Sequence, residues 1–256
     1  MKISIIQPDL AWEEKTDNFA ILGRLISPLF EQTDIVILPE MFNTGFSMDR
    51  GKLSENSHAK TFKWMLKMSQ SGNFGLCGSY IVKENDNFYN RWVFVSPEKE
   101  SWYYDKRHLF SMGEEDRYFS RGNNRLVFTF RGVRISPYIC YDLRFPVWSR
   151  NRSDYDLLIY AANWPEVRRE VWNTLLKARA IENQCYVAGS NRVGTDGNNI
   201  RYCGDSKLIS PKGEIIKAAT LNEECSISGD ISMTELSDFR KKFTVQNDAD
   251  NFSIEY

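Results

Sequence analysis

The sequence predicts an α/β fold in which strands and helices alternate along the chain. Short apolar runs rich in β-branched residues, ended by proline, glycine or polar clusters, indicate the strands. The segments between them repeat apolar residues at helical spacing. With 256 residues, 42% of them hydrophobic and 26% charged, the chain can bury a large core. We therefore expect residues 1–256 to form a single α/β domain.

The first half begins with a β-branched strand over residues 2–7, followed by a helix that Asp17 is predicted to cap. The apolar face of this helix lies at positions i, i+3, i+4 and i+7, which are Leu22, Leu25, Ile26 and Leu29. Residues 34–40 contain a continuous apolar run stopped by Pro39, which is typical of a strand buried on both faces. Beyond it we expect a helix over residues 60–69 and strands over residues 74–81, 91–95 and 101–106.

The alternation recurs in the second half, where strands are expected over residues 133–140, 156–162, 185–190 and 207–209. A helix over residues 167–183 is predicted to bury Val171, Leu175, Ala178 and Ile181. Residues 211–214 carry the proline and glycine of a hairpin turn. Residues 239–256 are polar and aromatic without a strong period, so we expect a C-terminal tail that packs on a partner subunit or lies on the surface.

Charge and cysteine usage exclude several classes of protein. Lysine plus arginine number 33 against 34 aspartate plus glutamate, which argues against a dedicated nucleic-acid or membrane-surface binder. No apolar run approaches the ~18–20 residues that span a bilayer, and residues 1–8 indicate a first strand instead of a signal peptide. The five cysteines are odd in number and widely spaced, so a disulfide framework is unsupported. We expect a soluble protein of a reducing compartment, the cytoplasm.

Three chemically reactive residues follow three predicted strands. Glu40 follows the second strand, Lys106 ends the strand over residues 101–106, and Cys140 ends the strand over residues 133–140. Alone, each has an ordinary explanation as a solvated charge or a small core residue. In open α/β sheets, however, ligands and catalytic groups gather beyond the carboxyl ends of strands. The carboxylate, ammonium and thiol are therefore expected to meet in one pocket.

The carboxylate, the ammonium and the thiol together supply the base, the oxyanion ligand and the nucleophile that hydrolysis of an amide requires. A free thiol titrates near ~8.5 and a free glutamate near ~4.3, so burial must raise the proton affinity of Glu40 before it can act as a base. A nearby lysine stabilises a thiolate, and Glu40 would take the Cys140 proton and deliver it to the leaving amine. Lys106 and the backbone N–H of Tyr141 would stabilise the tetrahedral oxyanion. The predicted reaction is acyl transfer through a thioester, followed by hydrolysis.

Rival catalytic arrangements have less support in the sequence. His58 lies among polar residues before a helix and is expected at the surface. His108 lies two residues after Lys106, so it points the same way on an extended chain; a hydrogen-bonded structural role is favoured over a general base. The sequence contains no G-x-S-x-G, G-x-G-x-x-G or P-loop motif.

Two further positions leave alternatives open. Arg144 lies four residues after Cys140, so a helical turn after the thiol would return its guanidinium to the same side. It would then bind an acidic substrate, or else form an intrachain ion pair with Asp142 or Asp154. Residues 113–116 form an acidic loop, and composition does not choose between its carboxylates.

Three sequence blocks resemble the signature blocks of the nitrilase superfamily, residues 37–42 (ILPEMF), 104–110 (YDKRHLF) and 139–146 (ICYDLRFP). Residues 161–165 (AANWP) and 179–184 (RAIENQ) resemble the same family. Within it, the WSRN run at residues 148–151 and the acidic loop after HLF are most similar to the bacterial omega-amidase branch.

The resemblance implies a four-layer αββα sandwich that forms a homodimer. It also implies a Glu40–Lys106–Cys140 triad that works without metal or cofactor. A second active-site glutamate aligns best with Glu115, although a shift of one residue would select Glu114. The implied substrates are ω-amides of small dicarboxylates, such as 2-oxoglutaramate and 2-oxosuccinamate.

The resemblance also suggests the residues that bind substrate. Arg144 would bind the distal carboxylate, and Phe42, Asn163 and Trp164 would line the pocket with Tyr141; core packing is the alternative for Trp164. Deaminated-glutathione amidases and N-carbamoyl amidases share the triad and remain alternatives. A true nitrilase and a catalytically silent scaffold are less favoured.

Overall fold

The computed structural model describes residues 1–254, so the last two residues of the expected tail 239–256 lie outside the described residues. The strands are β1 (Lys2–Gln7), β2 (Ile35–Ile37), β3 (Gly75–Glu84), β4 (Asn87–Val95), β5 (Ser101–Asp105), β6 (Phe128–Phe130), β7 (Val133–Ile139), β8 (Leu157–Ala161), β9 (Tyr186–Ser190), β10 (Val193–Thr195), β11 (Arg201–Cys203), β12 (Lys207–Ile209), β13 (Ile215–Ala218) and β14 (Cys225–Asp230). The α-helices are α1 (Lys15–Ile26), α2 (Arg50–Leu53), α3 (Lys60–Gly72), α4 (Glu115–Tyr118), α5 (Arg169–Asn183) and α6 (Met233–Lys242). Short 3₁₀ segments lie at Ser27–Leu29, Ser111–Gly113, Cys140–Arg144, Glu166–Arg168 and Val245–Asp248.

Within the described residues, the strands form two six-stranded sheets and one two-stranded ribbon. The first sheet has the order β14-β1-β2-β3-β4-β5, the second has the order β13-β12-β9-β8-β7-β6, and the ribbon pairs β10 with β11. Each large sheet contains three parallel strands, β1–β2–β3 or β7–β8–β9, flanked by antiparallel ones. Parallel neighbours need a crossover, which α1, α3 and α5 supply in three cases and the segment containing the 3₁₀ turn Cys140–Arg144 supplies between β7 and β8.

The two sheets pack face to face, with helices on their outer faces. Alternate residues of β1 and β2 point to opposite sides: Ile3, Ile5, Ile35 and Ile37 enter the core between the sheets, while Ile6 and Val36 face the helices. Helices α1 and α3 cover the first sheet through Leu22, Ile26 and Met65. Helix α5 covers the second, where Trp172 and Leu176 pack closely over Gly189. These layers confirm the predicted αββα sandwich.

The start of α1 differs from the prediction. Asp17 is exposed in the first turn and does not cap the helix, because the helix begins three residues earlier, after Glu14. The buried side chain of Asn18 fixes this end instead. It accepts the Ala11 N–H at 2.8 Å and donates to the carbonyl oxygens of Ala11 and Asn43 at 2.8 and 3.0 Å.

The buried face of α5 is displaced by one residue from the predicted one. Trp172, Leu176 and Ala180 are buried, whereas Val171, Leu175 and Ala178 lie at the flank and Ile181 is 49% exposed. The apolar pattern missed this face because it includes polar residues that form hydrogen bonds inside the protein. Arg179 donates to the Leu143 carbonyl oxygen at 2.6 Å, and Asn183 accepts the Asn151 N–H at 2.8 Å.

The expected C-terminal tail begins inside a helix. Its first four residues complete α6, and Val245–Asp248 forms a 3₁₀ turn beyond it. Periodicity did not reveal α6 because Leu236 is the one residue of the helix that is fully buried. Arg240 fixes the helix by donating to Asp156 at 2.7 Å and to the Tyr155 carbonyl oxygen at 2.8 Å. None of the helices in residues 1–254 is long and apolar enough to cross a membrane.

Gly78→Ala should destabilise the protein, because a Cβ on β3 would lie 2.7 Å from Leu38 Cβ and 2.8 Å from Phe42 Cδ1. We expect the free energy of unfolding, measured by urea denaturation, to fall by about 1–3 kcal/mol. Gly23→Ala is the matched control, since a Cβ there meets nothing within 4 Å inside α1. That variant should gain about 0.5–1 kcal/mol from helix propensity. Equal effects of the two substitutions would contradict this account of the packing.

Candidate active site

The carboxyl ends of β2, β5 and β7 bring Glu40, Lys106 and Cys140 to one cavity between the sheets. Glu40 and Lys106 come from the first sheet, and Cys140 comes from the second. The sequence predicted this meeting from the positions of the three residues after their strands.

Both carboxylate oxygens of Glu40 accept hydrogen bonds in a fully buried position. Oε1 accepts from Lys106 Nζ at 2.7 Å and from Asn90 Nδ2 at 2.9 Å. Oε2 accepts the backbone N–H of Asn163 at 2.9 Å. Because Asn163 follows β8, this last bond joins the two sheets directly at the site.

Lys106 is a buried cation held between two carboxylates. Besides Glu40, its Nζ contacts both oxygens of Glu115, at 3.0 and 2.8 Å, and lies 5.3 Å from the centre of the Phe46 ring. Burial by itself would lower the pKa of Lys106, but Glu115 and Glu40 outweigh it and raise the pKa above its ordinary value. The amine therefore stays protonated at neutral pH.

The second glutamate at the site is Glu115. It is fully buried at the start of α4, and its Oε2 accepts the Phe110 N–H at 2.7 Å while its Oε1 accepts Asn90 Nδ2 at 3.0 Å. Burial and the charge of Glu40 raise the pKa of Glu115, and Lys106 opposes them. Glu114 instead is exposed and forms an ion pair with Arg117, so the geometry separates the two carboxylates that composition did not.

Cys140 occupies a strained turn at the edge of the cavity. Its φ of 42° lies in the left-handed region, and the 3₁₀ segment Cys140–Arg144 begins at this residue. The side chain is partly exposed, and Sγ lies 3.8 Å from the Asn163 carbonyl oxygen. Burial, followed by the charge of Glu40, raises the pKa of Cys140 well above its ordinary value, although Lys106 lowers it. The lysine effect was expected, but the net result is a protonated thiol.

The strained turn is held by the buried carboxylate of Asp142. Its Oδ2 accepts the Ile139 N–H at 3.0 Å and the Tyr104 hydroxyl at 2.8 Å, and its Oδ1 accepts the His108 N–H at 2.9 Å. These bonds fix the backbone on both sides of Cys140 and link it to the segment after Lys106. The Asp142 carboxylate is therefore the positioning group of the turn.

Neither histidine lies where a general base for the thiol would. His108 Nδ1 lies 2.8 Å from Asp142 Oδ1, and its ring stacks on Phe145 with centroids 3.8 Å apart. This is the hydrogen-bonded structural role favoured by the sequence. His58 is exposed and contacts the edge of Phe62.

The cavity in front of Cys140 has a volume of about 570 Å³, which is within the range of small-molecule sites. Its walls include Phe46, Phe110, Met112, Val167, Ile200 and Tyr202. The prediction that Phe42 lines the pocket is wrong. That ring is fully buried on the helix side of the first sheet, 6.0 Å from Trp64 and 6.2 Å from Tyr80, because Gly78 leaves room for it there.

Tyr141, Asn163 and Trp164 do line the cavity. Asn163 donates its side-chain N–H to the Glu40 carbonyl oxygen at 2.6 Å, and its Oδ1 is buried without a partner among the described residues. Trp164 borders the cavity and also packs in the core, where the centres of its ring and the Trp172 ring lie 5.5 Å apart.

Arg144 is exposed at the cavity wall, with its Cζ 5.4 Å from the centre of the Trp164 ring. The ion pairs considered for it do not form. Asp154 pairs with Arg125, and Asp142 is occupied by the Tyr104 hydroxyl and His108. The guanidinium therefore faces the cavity.

Sequence reasoning missed Asn90 and most of the cavity wall. The Asn90 amide donates to Glu40 and Glu115 together, but an isolated asparagine in a strand carries no sequence signal. Phe46 lies four residues beyond the first block, and Tyr202 lies in β11, far from all three blocks. Among residues 1–254, no three His, Cys, Asp or Glu side chains are grouped as a metal site.

Comparison with known proteins extends over nearly the whole chain. A family model described as carbon–nitrogen hydrolase matches residues 2–241. Omega-amidase YafV of Escherichia coli (strain K12) is 43% identical over 254 residues, covering 99% of this chain and 98% of that protein. 2-Oxoglutaramate amidase of Bacillus subtilis (strain 168) is 32% identical, covering 96% of each chain.

Solved structures agree with these relatives. A CN-hydrolase superfamily protein from Xanthomonas campestris, with an arsenic adduct in its active site, superimposes with a TM-score of 0.96 at 38% identity, covering 100% of this chain and 99% of that one. A nitrilase-superfamily protein from Saccharomyces cerevisiae shares the fold, with a TM-score of 0.86 at 22% identity and coverage of 95% and 94%. The chain therefore belongs to the carbon–nitrogen hydrolase family, the nitrilase superfamily that its sequence blocks resemble.

Proposed function

We propose that the chain is an omega-amidase, which hydrolyses the ω-amide of a small dicarboxylate such as 2-oxoglutaramate or 2-oxosuccinamate to the oxo-acid and ammonia. The observation that carries the proposal is a partly exposed thiol, Cys140, facing a cavity beside the buried Glu40–Lys106–Glu115 cluster. The 43% identity to an omega-amidase and the 32% identity to a 2-oxoglutaramate amidase support this substrate class.

In the first step, the Cys140 sulfur attacks the amide carbon. Because the thiol is protonated at rest, its proton has to leave during the attack, and Glu40 accepts it. The amide oxygen becomes an oxyanion, which Lys106 and the backbone N–H of Tyr141 stabilise. One of the two contacts between Lys106 and Glu115 has to open for this. When the intermediate collapses, the nitrogen leaves as ammonia with the proton from Glu40, and a thioester remains.

In the second step, water replaces ammonia. Glu40 takes a proton from the water, whose oxygen attacks the thioester carbon, and the proton then returns to the sulfur. The products are a carboxylic acid and the free thiol, so no further reactant is consumed. Glu115 takes no proton in this scheme; its charge keeps Lys106 protonated and in place.

The distal carboxylate of the substrate is proposed to bind Arg144. This guanidinium borders the cavity, and an arginine fork suits bidentate binding of a carboxylate. Residues 1–256 are further proposed to act as one domain in a cytoplasmic homodimer. Five free thiols support a reducing compartment, and the exposed side chains of Ile181 and Phe243 near the end of α5 support a partner contact.

The wild-type protein should release ammonia from 2-oxoglutaramate, and Cys140→Ala should abolish the release, because the acyl group then has no nucleophile. Ammonia and 2-oxoglutarate are measured together, since the reaction yields one of each. Cys77→Ala is the control, because it removes a buried core thiol that does not line the cavity. Absence of release from the wild type would refute the proposed substrate, and release from the alanine variant would refute the thioester.

The pH profile of Cys140 alkylation should respond to Glu40. Burial and the Glu40 charge raise the thiol pKa, so the alkylation rate should still rise steeply at pH values above ~8.5, where a free thiol is already mostly ionised. Glu40→Gln removes the negative charge, which lowers the thiol pKa and shifts the profile to lower pH while hydrolysis is lost. Iodoacetamide labelling followed by mass spectrometry measures both proteins. If the pH profile of Glu40→Gln is the same as that of the wild type, or lies at higher pH, the electrostatic account is contradicted.

Arg144→Ala should raise KM for 2-oxoglutaramate by about 10- to 100-fold with a smaller change in kcat, because a charged hydrogen bond made equally to substrate and transition state is lost. Steady-state kinetics with 2-oxoglutaramate and with neutral butyramide measure the difference. Arg152→Ala, an exposed arginine outside the cavity, is the control. An unchanged KM would exclude Arg144 as the carboxylate ligand.

A further inference from the structure

A second guanidinium, that of Arg168, borders the same cavity as Cys140 and Arg144. Its Cζ lies 5.3 Å from the centre of the Phe110 ring, and within residues 1–254 the side chain forms no ion pair or hydrogen bond. The neighbouring arginines differ in this respect. Arg169 donates to Asp205 at 2.7 Å, and Arg201 pairs with Glu166 at 3.1 Å. Arg168 is therefore a positive charge presented to the cavity without a carboxylate of its own.

The backbone around Arg168 is held firmly. Its N–H donates to the Pro165 carbonyl oxygen at 3.0 Å, and its carbonyl oxygen accepts the indole N–H of Trp164 at 2.8 Å. The Glu166–Arg201 pair ties the same 3₁₀ segment to β11. Arg144 lies over the face of that same Trp164 ring. One indole thus anchors both arginines, one at its face and the other through its N–H.

Among the residues that line the cavity, no carboxylate forms an ion pair with these two arginines. Glu40 is paired with Lys106, as is the neighbouring Glu115. The other carboxylate among the lining residues belongs to Asp196, which is occupied by the Asn198 and Ile200 N–H groups and the Tyr202 hydroxyl. Two guanidinium groups without ion-pair partners among residues 1–254 therefore border the cavity, and their N–H groups can bind an anionic group of a ligand.

We propose that Arg168 is a specificity-determining residue that binds, together with Arg144, the 2-oxo acid end of the substrate. The inference rests on the proposed function and deepens it. A 2-oxo carboxylate presents three oxygen atoms in or near one plane, which gives each planar guanidinium its own acceptors. A 2-amino acid such as L-glutamine would place an ammonium group against two arginines instead. The pair thus selects short amides that end in a 2-oxo acid over the corresponding amino-acid amides.

The contact with Phe110 connects this recognition to the catalytic cluster. The Phe110 N–H donates to Glu115 at 2.7 Å, and Glu115 in turn holds Lys106. An anion bound to Arg168 would therefore rest beside the loop that supplies the second glutamate. The part of the cavity wall that would bind the charged end of the substrate therefore adjoins Glu115, which holds the Lys106 ammonium that stabilises the oxyanion.

Steady-state kinetics of Arg168→Gln with 2-oxoglutaramate, L-glutamine and neutral butyramide test the proposal. We expect kcat/KM for 2-oxoglutaramate to fall about 10- to 100-fold, mainly through KM, with at least about tenfold less effect on butyramide and L-glutamine. Arg168→Lys should recover part of the loss, because it restores the charge without the fork. In the Arg144→Gln, Arg168→Gln double variant the losses should not add, because both groups bind one anion.

Arg169→Gln is the matched control, since it removes the same charge one residue along, from a side chain that pairs with Asp205 away from the cavity. Equal losses in Arg168→Gln and Arg169→Gln, or equal losses on all three amides, would overturn the proposal.

Protection of Cys140 from iodoacetamide by 2-oxoglutarate gives a second readout that needs no turnover. If the wild type does not hydrolyse 2-oxoglutaramate, the proposed function fails, and protection lost in Arg168→Gln alone still supports the arginine site. Protection unchanged in that variant overturns it.

Discussion

Lys106 carries a positive charge on a fully buried side chain, and two buried carboxylates hold it there. A buried charge is tolerated when it is paired and hydrogen-bonded, and removing one partner strands the others. Glu40, Glu115 and Asn90 therefore depend on the ammonium as much as it depends on them. In the first sheet, β2 and β5 end, and β4 begins, where these groups can meet.

The second sheet supplies the nucleophile, so the reaction centre forms only when the two sheets are packed in the correct relative position. The core between the sheets fixes this relative position through apolar side chains from both inner faces. At the site itself, Asn163 completes the junction by donating its backbone and side-chain N–H groups to Glu40. A change that shifts one sheet against the other would thus separate the base from the thiol before it unfolds the protein.

Much of the reaction centre could be predicted from the sequence, because Glu40, Lys106 and Cys140 each lie at the carboxyl end of a predicted strand. The α/β class could be predicted from the alternation of strands and helices, whereas the four-layer sandwich was implied by the resemblance of the sequence blocks to the nitrilase superfamily. The buried face of α5 could not be predicted, because Arg179 and Asn183 face inward, form hydrogen bonds there and interrupt the apolar periodicity. Phe42 was misplaced because the room that Gly78 leaves on the helix side is a tertiary feature. Asn90 escaped notice because its role depends on two carboxylates that are distant in sequence.

The resting protonation of Cys140 also bears on how the protein survives oxidants. Peroxides attack thiolates, so a thiol whose pKa is raised by burial and by Glu40 is a poor target while the cavity is empty. The sulfur becomes a strong nucleophile only when an amide is present to receive it. Because the thiol loses its proton to a base only at the moment of attack, Cys140 resists oxidation between turnovers.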